Sequence, residues 1–104
     1  MDALIEKIEE TVYCLLKYDM EKYAVGAQEI ADMMMMIFPV IIAKYSDPRM
    51  KDHAEEAKYW PAQLERILNA FGAGDDFATA DVLYNETRAN LIELKDVLEK
   101  KGMN

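Results

Sequence analysis

The feature that most constrains this chain is a run of eleven residues, 33–43, that carries no charge and no side-chain hydrogen-bond donor. If helical, the run makes about three turns, so apolar side chains occupy every side of the helix and not a single stripe. Such a segment has to be covered all round, by the rest of its own chain or by another chain. The sequence therefore says more about assembly than about chemistry.

The spacing of apolar residues predicts an all-α protein. They recur at intervals of three and four throughout, and no alternating run indicates a strand. With short connections, this pattern favours an antiparallel up-down four-helix bundle forming one domain over residues 1–104. The predicted inward stripes are Ile5, Ile8, Val12 and Leu15; Tyr23, Ile30, Met34, Ile37 and Ile41; Met50, Ala54, Ala57, Leu64, Ile67 and Phe71; and Phe77, Ala80, Tyr84, Thr87, Leu91, Leu94 and Leu98.

Helix start signals divide the chain into these four segments. Asp19 is placed to cap the second helix, and Asp47-Pro48 combines a capping side chain with proline at the first helical position of the third. The glycines of residues 72–74 stop that helix, and Asp75 or Asp76 caps the fourth.

Three residues are expected to disturb the helices. Pro39 and Pro61 each lack the amide that would bond the carbonyl four residues earlier, so we expect kinks or breaks in helices two and three. Gly26 is a further weak point and an alternative start for the second helix.

Charge and composition exclude several classes of function. The formal charge of −8 disfavours nucleic acids and anionic membrane surfaces as partners. The apolar run is shorter than the roughly 20 residues that cross a bilayer, and the N-terminus does not resemble a signal peptide. Cys14 is the single cysteine, which fits a reducing compartment. We expect a cytoplasmic protein.

The apolar run predicts an interface. On a helical wheel, Met35, Met36, Pro39, Ile42 and Ala43 lie opposite the inward stripe of helix two. Burying a large apolar side chain contributes about 1.5–3 kcal/mol before the cost of association. Either helix three or the Pro39 kink covers this face within one chain, or the face binds a second copy or a protein partner. We favour the second interpretation.

The pattern Glu6-x-x-Glu9 followed by Glu29-x-x-Asp32 is similar to the paired motifs of all-α nucleotide pyrophosphohydrolases of the MazG type. That resemblance implies four carboxylates that hold Mg²⁺ against a triphosphate. Helical wheels, however, place Glu6 and Asp32 away from the apolar stripes, so convergence inside a bundle is not expected. The enzyme is therefore the alternative to a non-catalytic, cofactor-free interaction module.

Residues with other chemistry have simpler explanations. His53, three residues before Glu56, lacks a second histidine to complete a metal site. The aromatic residues around Tyr59-Trp60 are expected to pack in the core, with a ligand cleft near Pro61 as the alternative.

The last helix resembles a second family. It is similar to a Gly-Asp-x4-Ala-Asp-x-Leu-x-x-Glu signature. The matching residues are Gly74-Asp75, then, after four further residues, Ala80-Asp81-Val82-Leu83, and finally Glu86. This signature occurs in small helical Gram-positive proteins that carry a domain of unknown function. The likeness covers about Trp60 to Leu98 and implies an all-helical cytoplasmic protein without an assigned activity.

Asp81 and Glu86 of this signature form a candidate polar site. If either carboxylate faces inward, it needs a hydrogen-bonding partner such as Tyr84, Tyr23 or Lys44.

Overall fold

The computed structural model describes residues 1–103, and every regular element in that range is helical. The predicted all-α class is confirmed. In chain order the elements are α1 (Asp2–Leu16), α2 (Met20–Tyr45), two 3₁₀ segments (Pro48–His53 and Glu56–Lys58), α3 (Tyr59–Ala73), α4 (Asp76–Asp81), a π-helical segment (Val82–Arg88) and α5 (Ala89–Lys100).

The predicted aspartate caps are present. Each carboxylate accepts a hydrogen bond from a backbone amide in the first turn, where the helix itself supplies no acceptor. The bonds are Lys22 N to Asp19 at 3.3 Å, Arg49 N to Asp47 at 2.9 Å and Ala78 N to Asp75 at 3.0 Å.

Gly26 lies inside α2 and does not start it, so that alternative is wrong. The glycine stands where α1 and α2, the most extensively packed helix pair, approach each other. A Cβ built on Gly26 would lie 2.3 Å from Oγ1 of the buried Thr11. Glycine is therefore required here by the closeness of the two helices.

The expected break is absent at Pro39, whereas the α-helical part of the third segment begins just before Pro61. α2 continues without a break through Pro39 and leaves only the Met35 carbonyl without its intrahelical donor. Pro61 lies in the first turn of α3, where the missing amide has no helical role.

The predicted long third helix is wrong, because residues 48–58 form two 3₁₀ segments separated by a turn and contain no α-helix. Pro61 favours this arrangement: it has no amide for the Ala57 carbonyl, and its ring crowds that carbonyl, so α-helical backbone immediately before it is destabilised.

Two residues of the predicted fourth apolar stripe are not buried. Phe77 and Tyr84 are exposed, whereas Leu83 is fully buried. The π-helical segment explains the difference at Tyr84, because its wider turns shift the register of the side chains. The buried residues of α4, the π-helical segment and α5 are Thr79, Ala80, Leu83, Thr87, Leu91, Leu94 and Leu98.

One main hydrophobic cluster joins α1, α2, the first 3₁₀ segment, α3, the π-helical segment and α5, and the molecule measures 44 × 22 × 20 Å. α2 has 26 residues and therefore runs most of that length. By length and composition alone it could also cross a membrane, a test that the core helix of a soluble protein passes as well.

The closeness of α1 and α2 yields a stability prediction. We expect Gly26→Ala to lower the free energy of unfolding by about 1–3 kcal/mol, because the new methyl group forces the two helices apart. Gly72→Ala is the control: nothing lies within 4 Å of its Cβ position in α3, so it should be neutral or stabilising by up to about 1 kcal/mol. Urea denaturation measures both, and equal effects would contradict the close-packing account.

Candidate interaction surface

The five residues predicted to face away from the core of α2 are all exposed. We call Met35, Met36, Pro39, Ile42 and Ala43 the outer face of α2. Met35 is 62% exposed, Met36 77% and Ile42 36%. No described part of the chain covers this face.

Helical periodicity explains why the same helix carries both a core stripe and this outer face. Ile30, Met34 and Ile41 are buried within the main cluster, at no more than 1% exposure. The outer face lies on the opposite side of the helix. The 3₁₀ segment Pro48–His53 packs against α2 but leaves the outer face open, so the within-chain covering considered from the sequence does not occur among residues 1–103.

A shallow groove of about 520 Å³ borders the C-terminal half of the outer face. Lys44 Nζ crosses one side of it to donate a hydrogen bond to the Met103 carbonyl at 3.2 Å. Arg49 closes another side through a 2.9 Å ion pair with Asp47, and its hydrogen bonds lower the pKa of that carboxyl from 3.8 to about 2. The lining residues are Pro39, Val40, Ala43, Lys44, Asp47, Arg49 and Met103.

The two ends of the outer face carry opposite charges. Before it stands Asp32, which accepts a 3.1 Å hydrogen bond from Gln28 and forms no ion pair with a described residue. Beyond it stand Lys44 and Arg49, of which Arg49 is already paired with Asp47, so that Lys44 carries the net positive charge. The outer face of α2 is therefore flanked by a negative charge at one end and a positive charge at the other.

The four carboxylates of the alternative magnesium site do not come together. No group of three or more acidic, histidine or cysteine residues among residues 1–103 could hold a metal ion. Three of the four carboxylates have other partners: Glu9 pairs with Arg88 at 3.4 Å, Glu29 pairs with Lys7 at 2.7 Å, and Asp32 accepts a hydrogen bond from Gln28. The fourth, Glu6, is exposed. His53, the other candidate ligand, is bonded to Glu56 at 2.7 Å.

The candidate polar pair Asp81 and Glu86 lies at the surface, and neither uses the expected partners. Asp81 accepts a hydrogen bond from Asn85 at 2.6 Å. Glu86 accepts two from Arg66 of α3, each at 2.7 Å, which ties α3 to the π-helical segment.

A buried polar network near this pair was missed from the sequence. Gln63 Nε2 donates to Thr87 Oγ1 at 3.1 Å, and Asn90 Nδ2 donates to Gln63 Oε1 at 3.0 Å. Gln63 is 6% exposed and Thr87 is fully buried. The sequence does contain a signal for this network, because the polar Gln63 lies one helical turn from both Trp60 and Ile67 and therefore on the core side of α3.

No protein-family model matches this chain, and comparisons with curated proteins and with solved structures likewise find no match. The functional argument therefore starts from the surface itself.

The absence of converging carboxylates predicts the response to magnesium. We expect millimolar Mg²⁺, with or without a nucleoside triphosphate, to leave the thermal midpoint unchanged, because no described site would bind the ion in the folded state only. Differential scanning fluorimetry tests this, and a midpoint raised by several degrees would revive the pyrophosphohydrolase hypothesis.

The buried network predicts a contrast between two adjacent residues. Thr87→Val leaves the Gln63 amide without its buried partner and should lower the free energy of unfolding by about 1–3 kcal/mol. Glu86→Gln weakens a partly exposed ion pair and should lower the free energy of unfolding by less than about 1 kcal/mol. Urea denaturation compares them, and a larger loss for Glu86→Gln would contradict this assignment of roles.

Proposed function

We propose that this chain is a non-catalytic helical module that self-associates through the outer face of α2. The main support for this proposal is that Met35, Met36 and Ile42 are exposed on one continuous apolar face. Contiguous apolar surface of this kind marks interaction sites on soluble proteins, whereas isolated exposed apolar residues do not.

The arrangement about Pro39 supports a second copy as the occupant. Met36 and Ile42 stand three residues on either side of Pro39, and Met35 and Ala43 stand four residues on either side. In an antiparallel pair with its two-fold axis at Pro39, Met36 meets the partner's Ile42, and Met35 meets the partner's Ala43. Every such contact is apolar, and the second sets a large side chain against a small one.

Charge supports the same orientation. An antiparallel pair brings the Asp32 end of one copy towards the Lys44 and Arg49 end of the other. Opposite charges at the rim of an apolar patch fix register and favour encounter. A parallel pair would instead set Asp32 against Asp32.

The groove beside the outer face supplies further contact area. Stable interfaces bury about 800 Å² on each partner. The methionines of one copy, whose flexible side chains fit irregular surfaces, would enter the groove around Val40 and Met103 of the other.

A bilayer is the competing environment for α2, and Asp32 argues against it. This carboxylate lies at the midpoint of the helix. An aspartate at the centre of a spanning helix costs about 2.5–3.5 kcal/mol on insertion scales. We therefore propose a cytoplasmic protein, in line with its single cysteine, that binds neither membranes nor nucleic acids.

The proposal extends to the arrangement of the helices. We propose an antiparallel up-down four-helix bundle in which α4, the π-helical segment and α5 together serve as the fourth helix. The resemblance of Gly74-Asp75 through Glu86 to the helical domain of unknown function is consistent with this arrangement and remains a prediction.

The test is the concentration dependence of thermal unfolding. For a dimer, the midpoint rises with protein concentration, because association stabilises only the folded state. The double variant Met35→Glu, Ile42→Glu should remain helical and lose this dependence, since it introduces charge at the centre of the contact. Circular dichroism melts over a hundredfold range of concentration measure the effect.

The matched control is Leu68→Glu, Ile92→Glu. These residues are also exposed apolar side chains, but they lie on α3 and α5. The control should keep the wild-type concentration dependence. A wild-type midpoint independent of concentration, or equal behaviour of the two double variants, would contradict self-association through α2.

A further inference from the structure

A cleft of about 400 Å³ lies between the end of α2, the start of α3 and α5, apart from the outer face of α2. Its volume is within the range of small-molecule sites. Trp60 and Leu94 are buried against it, and Trp60 Nε1 donates a hydrogen bond to the Tyr45 hydroxyl at 3.0 Å. The lining residues are Tyr45, Glu56, Tyr59, Trp60, Ala62, Gln63, Arg66, Asn90, Glu93 and Leu94.

The directions of the hydrogen bonds in the buried polar network determine which side-chain atom of Asn90 is free to accept a hydrogen bond in this cleft. It begins at the Val82 carbonyl, which can only accept and receives the Thr87 hydroxyl proton at 3.1 Å. Thr87 must then accept from the amide nitrogen of Gln63, and the Gln63 carbonyl must accept from the amide nitrogen of Asn90. The Asn90 side-chain carbonyl is left as an acceptor that receives no hydrogen bond from a described residue.

The charged residues around Asn90 also favour a ligand that donates hydrogen bonds. Glu93 lies one turn further along α5 on the same side of the helix and forms no ion pair with a described residue. Glu56 stands across the cleft, where its carboxylate is bonded to His53. The one cationic lining group, Arg66, already makes its two 2.7 Å bonds to Glu86.

The apolar part of the cleft is aromatic. Tyr45, Tyr59 and Trp60 line it, and aromatic ring faces attract cations. Burial raises the pKa of the Tyr45 phenol above its ordinary value of 10; the hydrogen bond from Trp60 lowers it in part, and the charges of Glu56 and Glu93 raise it further. The phenol stays neutral, and its oxygen keeps one lone pair beyond the bond from Trp60.

We infer that this cleft binds a primary alkylammonium group. The ammonium donates hydrogen bonds to the Asn90 carbonyl and the Glu93 carboxylate, and its alkyl chain packs against Trp60 and Tyr59. This binding role is independent of self-association through α2. The group belongs either to a small free amine or to a lysine side chain of another protein.

Trp60 is the only tryptophan, so its fluorescence reports on the cleft without labelling. We expect n-pentylammonium to give a saturable change, and n-pentanol, the neutral analogue of the same length, to give none. Tetramethylammonium, which has no N–H donor, should bind several-fold more weakly. Nα-acetyl-lysine methylamide distinguishes the sources: binding at least as tight as that of pentylammonium indicates a lysine side chain, and weaker binding indicates a free amine.

The decisive variant is Glu93→Gln, with Glu99→Gln as its control. Both remove one exposed carboxylate from α5 and change the net charge equally, but only Glu93 lines the cleft. We expect Glu93→Gln to weaken pentylammonium binding about tenfold or more, and Glu99→Gln to change it less than twofold. No saturable Trp60 response below about 10 mM pentylammonium, an equal response to pentanol, or equal effects of the two variants would overturn the inference.

Discussion

The structure depends on one constraint, a helix that is apolar around its whole circumference over residues 33–43. The fold satisfies half of this constraint by burying Met34 and Ile41 in the main hydrophobic cluster, together with residues of α1, α3 and α5. The other half is left as the outer face of α2. α1, α3 and α5 share the main cluster with the opposite side of α2, and no described helix covers the outer face. The self-association that we propose would resolve the conflict, because each copy would cover the outer face of the other.

Polar side chains in this protein have local and separable roles. Aspartates cap the helices, Gln63 and Thr87 form a buried network at the π-helical segment, and most ion pairs lie at the surface. A buried network stabilises a fold less than an apolar core of equal volume unless every group is paired. Gln63 and Thr87 are paired throughout, and their position beside the Trp60 cleft fits the role that we propose for Asn90. π-helical segments are frequent at functional sites.

The sequence predicted what depends on local chemistry and on the helical period. The all-α class, the caps at Asp19, Asp47 and Asp75, and the exposure of Met35 and Ile42 follow from neighbouring residues alone. The close approach at Gly26 and the π-helical shift that exposes Tyr84 depend on contacts between distant segments. The Trp60 cleft was only an alternative, because Tyr45, Trp60 and Asn90 come together only in the fold.

The most direct test of the central claim is the molar mass of the wild-type chain in solution. Sedimentation equilibrium from about 1 to 200 μM covers the range in which a patch of this size would associate. We predict a mass that rises to twice the 12.0 kDa of one chain. A mass of 12.0 kDa throughout, with the outer face of α2 bare to water, would contradict the account.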